Sequence, residues 1–264
     1  IAPLIDSLHA QGRLRVWSLL ITIFGDSVQL RGGQISTARL QILLQRIGIE
    51  SGTLRTALSR LSRDGWVSSK RVGKSSLYQL DPKGLADFDK ASHRIYAPPR
   101  HGKIAQWSIG TAQSRDAIAI GSLWLTPIES AGDAGDFELI GDITHLSADL
   151  RKTLVDPAHQ ASLVQLFDDL DTLHDATLDP LSAAAASTLL IHRWRRLILR
   201  FPDIPPELMP DAIGLRNPRA EVAKAYHTLT NAAEDWWAHS NDDTLAMPAA
   251  RPEITQRFNA ADRS

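Results

Sequence analysis

Apolar residues recur every three or four positions along Arg13–Gly25, where Leu14, Val16, Trp17, Leu20, Ile21, Ile23 and Phe24 mark a well-buried first helix. Ser36 can cap a second helix, Thr37–Ile47, that turns Leu40, Leu43, Leu44 and Ile47 inward. A third stretch, Glu50–Gly65, carries Leu54, Ala57, Leu58 and Leu61 at the same spacing; its opposite face presents Arg55, Thr56, Ser59 and Arg63, with Arg60 at the edge. Gly65 suits the C′ position that ends this helix. Trp66–Val72 and Ser75–Leu80 then read as the strands of a hairpin, because Val, Ser, Leu and aromatic residues flank Gly73-Lys74, a pair suited to a two-residue turn with glycine first. Lys70, Arg71 and Lys74 fall at or near its tip. Two helices, a polar-faced helix and a basic hairpin, in that order, make a winged helix-turn-helix.

Beyond the hairpin, Asp81-Pro82 starts a helix that reaches about Tyr96, and Ala97-Pro98-Pro99 stops it, since consecutive prolines cannot continue helical hydrogen bonding. Lys103–Ala112, Ala117–Thr126 and Phe137–Thr144 read as strands, with helices at Ser147–Leu154 and Pro157–His174. Asp179-Pro180 is a second break; past it come helices over Ala183–Phe201 and Arg219–Ser240, separated by the proline-broken Phe201–Pro210. Residues after Asp242 lack periodicity and are expected to trail along the surface or stay disordered. The expected fold class is mostly α with an α+β part: a DNA-binding domain over 11–97, a small α+β domain over 98–179, a helical domain over 180–242 and a tail over 243–264. There is no internal repeat.

The net charge of −1 conceals an asymmetry: residues 1–100 hold fifteen Lys/Arg against seven Asp/Glu, and the remainder holds fourteen against twenty-three. A basic head on an acidic body fits a polyanion-binding module attached to something else. No cysteine is present, which excludes disulfides, thiolate metal sites and a cysteine nucleophile and is compatible with a reducing cytoplasm. The longest apolar stretch near the start, Ser18–Phe24, is far shorter than the roughly 20 residues of a membrane span, so no membrane association is expected. No leader is evident, and the residues before Gln11 look like the start of a trimmed chain.

Guanidinium, hydroxyl and ammonium groups are the donors that read base edges and phosphates. Arg55, Thr56 and Ser59 are placed toward base edges of a major groove, and Arg60, Arg63, Lys70, Arg71 and Lys74 mainly toward phosphates. Arg31-Gly32-Gly33 reads as a structural turn whose glycines permit positive φ, with an Arg31–phosphate contact as the alternative. On Ala183–Phe201, Arg193, Arg196 and Arg200 share one face beside His192, as ligands of a polyphosphate would; the alternative is salt bridging to the acidic body, including Asp203 and Glu207. Trp107, Trp124, Trp194, Trp236 and Trp237 could offer an aromatic surface, though tryptophans are more often core. The nine histidines form no His-x-Glu or His-x₃-His pair, and no nucleophile elbow, Walker loop or dinucleotide fingerprint occurs. Asp168, Asp169 and Asp171 read as a solvated acidic run. No catalytic residue, metal site or cofactor is expected.

Together these residues resemble the phenylacetic acid degradation repressors, the PaaX family. The resemblance rests on Phe24-Gly25-Asp26 with Arg31-Gly32-Gly33, Leu54-Arg55-Thr56-Ala57 with Arg60-Leu61, Asp64-Gly65-Trp66, Arg71-Val72-Gly73 with Ser76 and Tyr78, and Arg94-Ile95-Tyr96. A second block runs from Leu190-Ile191-His192-Arg193-Trp194-Arg195-Arg196 through Asp203-Ile204-Pro205-Pro206-Glu207-Leu208-Met209-Pro210. The resemblance implies a dimeric bacterial repressor of aromatic-acid catabolic genes that leaves double-stranded operator DNA when an acyl-CoA effector, typically phenylacetyl-CoA, binds. It also implies a central ferredoxin-like domain similar to the small nucleases of CRISPR spacer acquisition, followed by a helical C-terminal domain. Family members usually have a longer helix between the first two central strands; Thr111–Asp116 leaves only a turn, which allows for a degenerate ferredoxin-like domain. The alternatives are a metal-dependent nuclease, which needs carboxylates at a strand end where Lys103–Ala112 has none, and a DNA-binding scaffold without effector.

Overall fold

The computed structural model describes residues 1–10, 15–100, 102–211, 213–214, 216–240 and 244–259. It is a mixed helix and sheet structure with two small antiparallel sheets. Its first element, helix α1 (Ala2–Ala10), buries Leu4 against the helical body, so residues placed outside any domain by the sequence reading are part of the packed structure. Helix α2 (Val16–Ile23) continues as a π turn over Phe24–Val28. The expected helix start at Arg13 and Leu14 lies outside the described residues. Gly25 sits inside that turn because the Phe88 ring comes within 2.2 Å of where its Cβ would be.

Strand β1 (Gln34–Ser36), absent from the sequence reading, leads into helix α3 (Thr37–Arg46), and the Ser36 side chain accepts from Arg39 N as an N-cap. Helix α4 (Ser51–Arg63) follows, its stripe of Leu54, Ala57, Leu58 and Leu61 buried as the period requires. Strands β2 (Val67–Val72) and β3 (Ser75–Leu80) form the hairpin. Gly73 has φ +59° while Lys74 keeps negative φ, which selects a type II′ turn over a type I′ turn. β1 pairs antiparallel with β3, giving the order β1-β3-β2. Helix α5 (Pro82–Ile95) leads away from this head and ends before the two prolines.

The second sheet contains β4 (Trp107–Gly110), β5 (Ile118–Ile120), β6 (Leu123–Pro127) and β7 (Glu138–Gly141) in the order β5-β6-β4-β7, antiparallel throughout. The single strand expected over Ala117–Thr126 is instead a hairpin, turned at Gly121 with φ +60°. Neither crossover, from β4 to β5 or from β6 to β7, contains an α-helix.

Helices α6 (Ala148–Leu154), α7 (Pro157–His174), α8 (Pro180–Arg200) and α9 (Pro218–Ala238) form the body, with α8 at its centre. Every residue of α8 from Ser182 to Trp194 is buried. Ala183-Ala184-Ala185-Ala186 keeps this helix thin enough for α2 and α3 to approach it on one side while α7 and α9 pack elsewhere.

The expected free tail is a strap. Arg251 N donates to Leu30 O at 2.9 Å, Pro248 packs on Gly32, and Phe258 N donates to Tyr96 O at 2.9 Å beyond the short helix α10 (Glu253–Gln256). Met247, Ile254, Arg257 and Phe258 are all buried. Its pattern is aperiodic because it is held by single side chains and by backbone hydrogen bonds to distant segments.

Candidate nucleic-acid interface

Burial of the apolar stripe of α4 fixes the direction of everything opposite it, so Arg55, Thr56, Ser59, Arg60 and Arg63 are all exposed. Thr56 donates its hydroxyl to Gly52 O at 3.0 Å, leaving the oxygen lone pairs free to accept. Arg60 is braced by Asp64, 3.6 Å away, and lies 5.4 Å from the Trp17 ring; Arg63 lies 3.3 Å from the same carboxylate. These are exposed pairs of small energetic weight, so the guanidiniums can exchange Asp64 for another anion. Gly65, with φ +72°, turns the chain from α4 into the hairpin, where Lys70, Arg71 and Lys74 are exposed. Arg71 Nε donates to Gly73 O at 3.3 Å and stiffens the tip.

Not every cation of the first hundred residues belongs to this surface. Arg31 is 1% exposed, ion-paired to Glu234 at 2.5 Å, and stacked 5.3 Å from the Trp237 ring. Gly32 and Gly33 have φ +81° and +73°, so the motif is a structural turn and the phosphate alternative for Arg31 is corrected. Arg39, equally buried, donates to the carbonyls of Trp236, His239 and Leu245. Sequence reasoning had no local signal for either, because their partners lie some two hundred residues away.

The second cluster separates into two pairs. His192 is buried on α8 with Nδ1 3.1 Å from Thr22 Oγ1 of α2, and burial, aided by Arg195, Arg196 and Arg193, pushes its imidazole down to about 3. Arg193 is buried in an ion pair with Asp169 and donates to Ser7 Oγ at 2.7 Å; burial raises the Asp169 carboxyl and lowers the guanidinium despite their mutual attraction. The partner of Arg193 is thus Asp169 and not Asp203 or Glu207, which serve Arg219 and Ile104 N instead. Arg196 and Arg200 are exposed. All four residues line one groove of about 320 Å³ between α7 and α8, facing Ser162 and Gln165. Of the tryptophans, Trp107, Trp194 and Trp237 are core, while Trp124 and Trp236 are half-buried.

The chain matches the PaaX-like protein family over residues 15–84 and the PaaX-like protein C-terminal domain over residues 150–239. It belongs to the PaaX-like family. The transcriptional repressor PaaX of Escherichia coli K12 is 26% identical over 281 residues, spanning 91% of this chain and 89% of the relative. A solved structure, uncharacterized protein Rv0674 from Mycobacterium tuberculosis, is similar with a TM-score of 0.45 and 19% identity, over 75% of this chain and 87% of that one. The first PaaX-like match holds all eight candidate DNA-contacting residues and the second holds the α7–α8 groove, while the four-stranded sheet falls between them. No helix among the described residues is long and apolar enough to cross a membrane.

Proposed function

We propose that this chain is a DNA-binding transcriptional repressor whose residues 11–97 form a winged helix-turn-helix, with α4 entering the major groove and the β2–β3 hairpin as the wing. What carries this reading is the joint exposure of Arg55, Thr56, Ser59, Arg60, Arg63, Lys70, Arg71 and Lys74 within a family whose E. coli relative is a transcriptional repressor. It acts as a homodimer on a two-fold operator in the cytoplasm, because one head contacts too few base pairs for genomic selectivity. The sheet β5-β6-β4-β7 is a ferredoxin-like unit reduced to its strands, since strand order and direction suit a βαββαβ plan from which both helices are missing.

The regulating ligand is an acyl-CoA thioester of an aromatic acid, of the phenylacetyl-CoA type, bound in the α7–α8 groove. Arg196 and Arg200 meet its phosphates, while His192 and Arg193 form the wall behind them. The same His192 holds α2 through Thr22, and the neighbouring Arg195 Nη2 donates to Ser18 Oγ at 3.1 Å. α2 packs in turn on α4. A ligand that draws α8 toward α7 therefore acts on the head within two helix contacts, and differential affinity for two arrangements is the whole mechanism.

Fluorescence anisotropy with promoter fragments adjoining the gene and with random DNA tests the proposal. Arg55→Ala should cost about 1–3 kcal/mol on the operator and little on random DNA, whereas Lys74→Ala should weaken both alike. Micromolar phenylacetyl-CoA should release operator and free phenylacetate should not. Equal losses on both DNAs for Arg55→Ala would remove it from base reading, and no preference for any promoter would sink the repressor.

A further inference from the structure

On the far side of the groove wall, Arg200 and Phe201 also border a second and larger cleft of about 850 Å³ between the four-stranded sheet and the start of α7. We infer that this cleft receives the acyl end of the effector, so that one elongated site crosses the end of α8, with the anionic part at Arg196 and the aromatic part against Trp124. The inference rests on the effector reading above.

The groove, near 320 Å³, is at the low end for any drug-sized ligand and cannot enclose a nucleotide together with a long acyl arm. The cleft supplies the missing volume and a different chemistry. Phe201 stacks on His159 with ring centroids 4.4 Å apart and planes within 2°, and Arg200 covers the Phe201 ring at 4.9 Å. Burial pushes the His159 imidazole down to about 4, so at neutral pH this ring is neutral and the charge on the stack is that of Arg200. Trp124 of β6 borders the same cleft and is half-buried, with apolar surface still open to an aryl group.

The polar groups of the cleft fit the same orientation. Asp156 spends its carboxylate on the α7 amides of Ala158 and His159, while Lys152 and Asp149, 3.0 Å apart, form an exposed pair. Ser114 Oγ is buried at the cleft without a hydrogen-bond partner, a group that a thioester carbonyl or a pantetheine amide would satisfy. Arg200 and Arg115, whose Nη2 donates to Leu199 O at 3.4 Å, bring two of the cleft's cations to the end of α8, and Trp124 borders the cleft from the sheet.

Isothermal titration of the full chain with coenzyme A and with phenylacetyl-CoA reads the two ends separately. The wild type should bind the thioester at least about tenfold more tightly than coenzyme A. Ala119→Trp and Thr153→Trp fill the cleft from opposite walls, at exposed positions on β5 and α6, so a folding defect in one leaves the other as a test. Each should bring the thioester preference to within about twofold, while Arg196→Ala should weaken both ligands by similar factors. A preference that survives both cleft-filling variants, or one absent from the wild type, overturns the placement of the acyl end and leaves the groove reading intact. If neither ligand binds the wild type, the effector reading fails and this inference with it.

Discussion

Arg257→Met is expected to loosen the head from the body. Arg257 reaches from the C-terminal strap into the interior, where it is 8% exposed and donates to Asp26 Oδ1 at 2.7 Å, Asp26 O at 2.8 Å, Gly25 O at 3.1 Å and Tyr226 Oη at 2.8 Å. Its guanidinium also lies 4.0 Å from the Tyr96 ring, so one side chain ties the π turn after α2 to α5 and α9. Methionine keeps the apolar stem and deletes the charge, leaving the Asp26 carboxylate buried. Losing one partner of a buried ion pair costs about 3–5 kcal/mol. Tyr96 Oη at 2.7 Å and Ser27 Oγ at 3.1 Å still donate to Asp26, which puts the expected loss near the lower bound, at about 3 kcal/mol. Urea denaturation at pH 7 measures it as a lower midpoint with unchanged slope, and the melting temperature should fall by roughly 6–12 °C. Adding Asp26→Asn should recover at least about 1 kcal/mol, because the stranded charge is then gone. A loss within about 0.5 kcal/mol for Arg257→Met, the size of an ordinary surface substitution, would refute the strap as an anchor. A double variant no better than the single one would refute the charge as the cause.

Two further outcomes are expected. Because the native imidazoles of His192 and His159 are depressed to about 3 and about 4 from 6.5, the unfolded chain takes up protons first as the pH falls. Stability should therefore be lost from about pH 6.5 down to about 3–4, by about 2 kcal/mol for each histidine at pH 5. Comparing urea midpoints at pH 7 and pH 5 for the wild type and for His192→Asn, which retains a group near Nδ1, isolates one share; an identical pH 5 deficit in both would contradict it. Separately, replacing Lys70, Arg71 and Lys74 together should lower the slope of log affinity against log salt by nearly 3, if each neutralises one phosphate. An unchanged slope would take the hairpin off the DNA.

The polar-faced helix and the hairpin were legible because their information is local: a 3.6-residue stripe, a glycine that ends it, and Gly73 at a two-residue turn. The start of α3 at Thr37 was legible for the same reason, through Ser36 as its cap, whereas Ser147, read as the first residue of its helix, and Asp156 prove to be the caps of α6 and α7. Strand β1 is too short to carry a period. The hairpin inside Ala117–Thr126 did have a signal, Gly121-Ser122, but continuous apolar residues on both sides masked it. Arg31 and Arg39 read as head charge, since nothing near them in sequence reveals Glu234 or the carbonyls that follow Trp236. The same argument applies to Arg193. Its spacing put it on one face with Arg196 and Arg200, but Asp169 on another helix decides that it is buried structure while Arg196 remains exposed.

These long-range anchors restrict how any ligand could release DNA. Arg31, Arg39 and Arg257 clamp the turn after α2, α3 and the C-terminal strap to α9, so a swing of the head on a loose linker would break buried contacts. The low-cost route is a small shift of α2 relative to α8, where the polar contacts are His192 with Thr22 and Arg195 with Ser18. Thr22 Oγ1 lies 3.2 Å from Ser18 O and 3.1 Å from His192 Nδ1, so one hydroxyl bridges the α2 backbone and the α8 imidazole. Thr22→Val keeps the shape and removes this connection, at a stability cost of about 1–2 kcal/mol. If α2 carries the signal, the variant should bind operator nearly as well as the wild type but respond less to phenylacetyl-CoA. Coupling of typical size changes affinity about 5–150-fold, so the thioester-induced loss of operator affinity should shrink several-fold in Thr22→Val. Operator titrations with and without saturating thioester give that ratio directly. An unchanged ratio would mean that the signal bypasses α2.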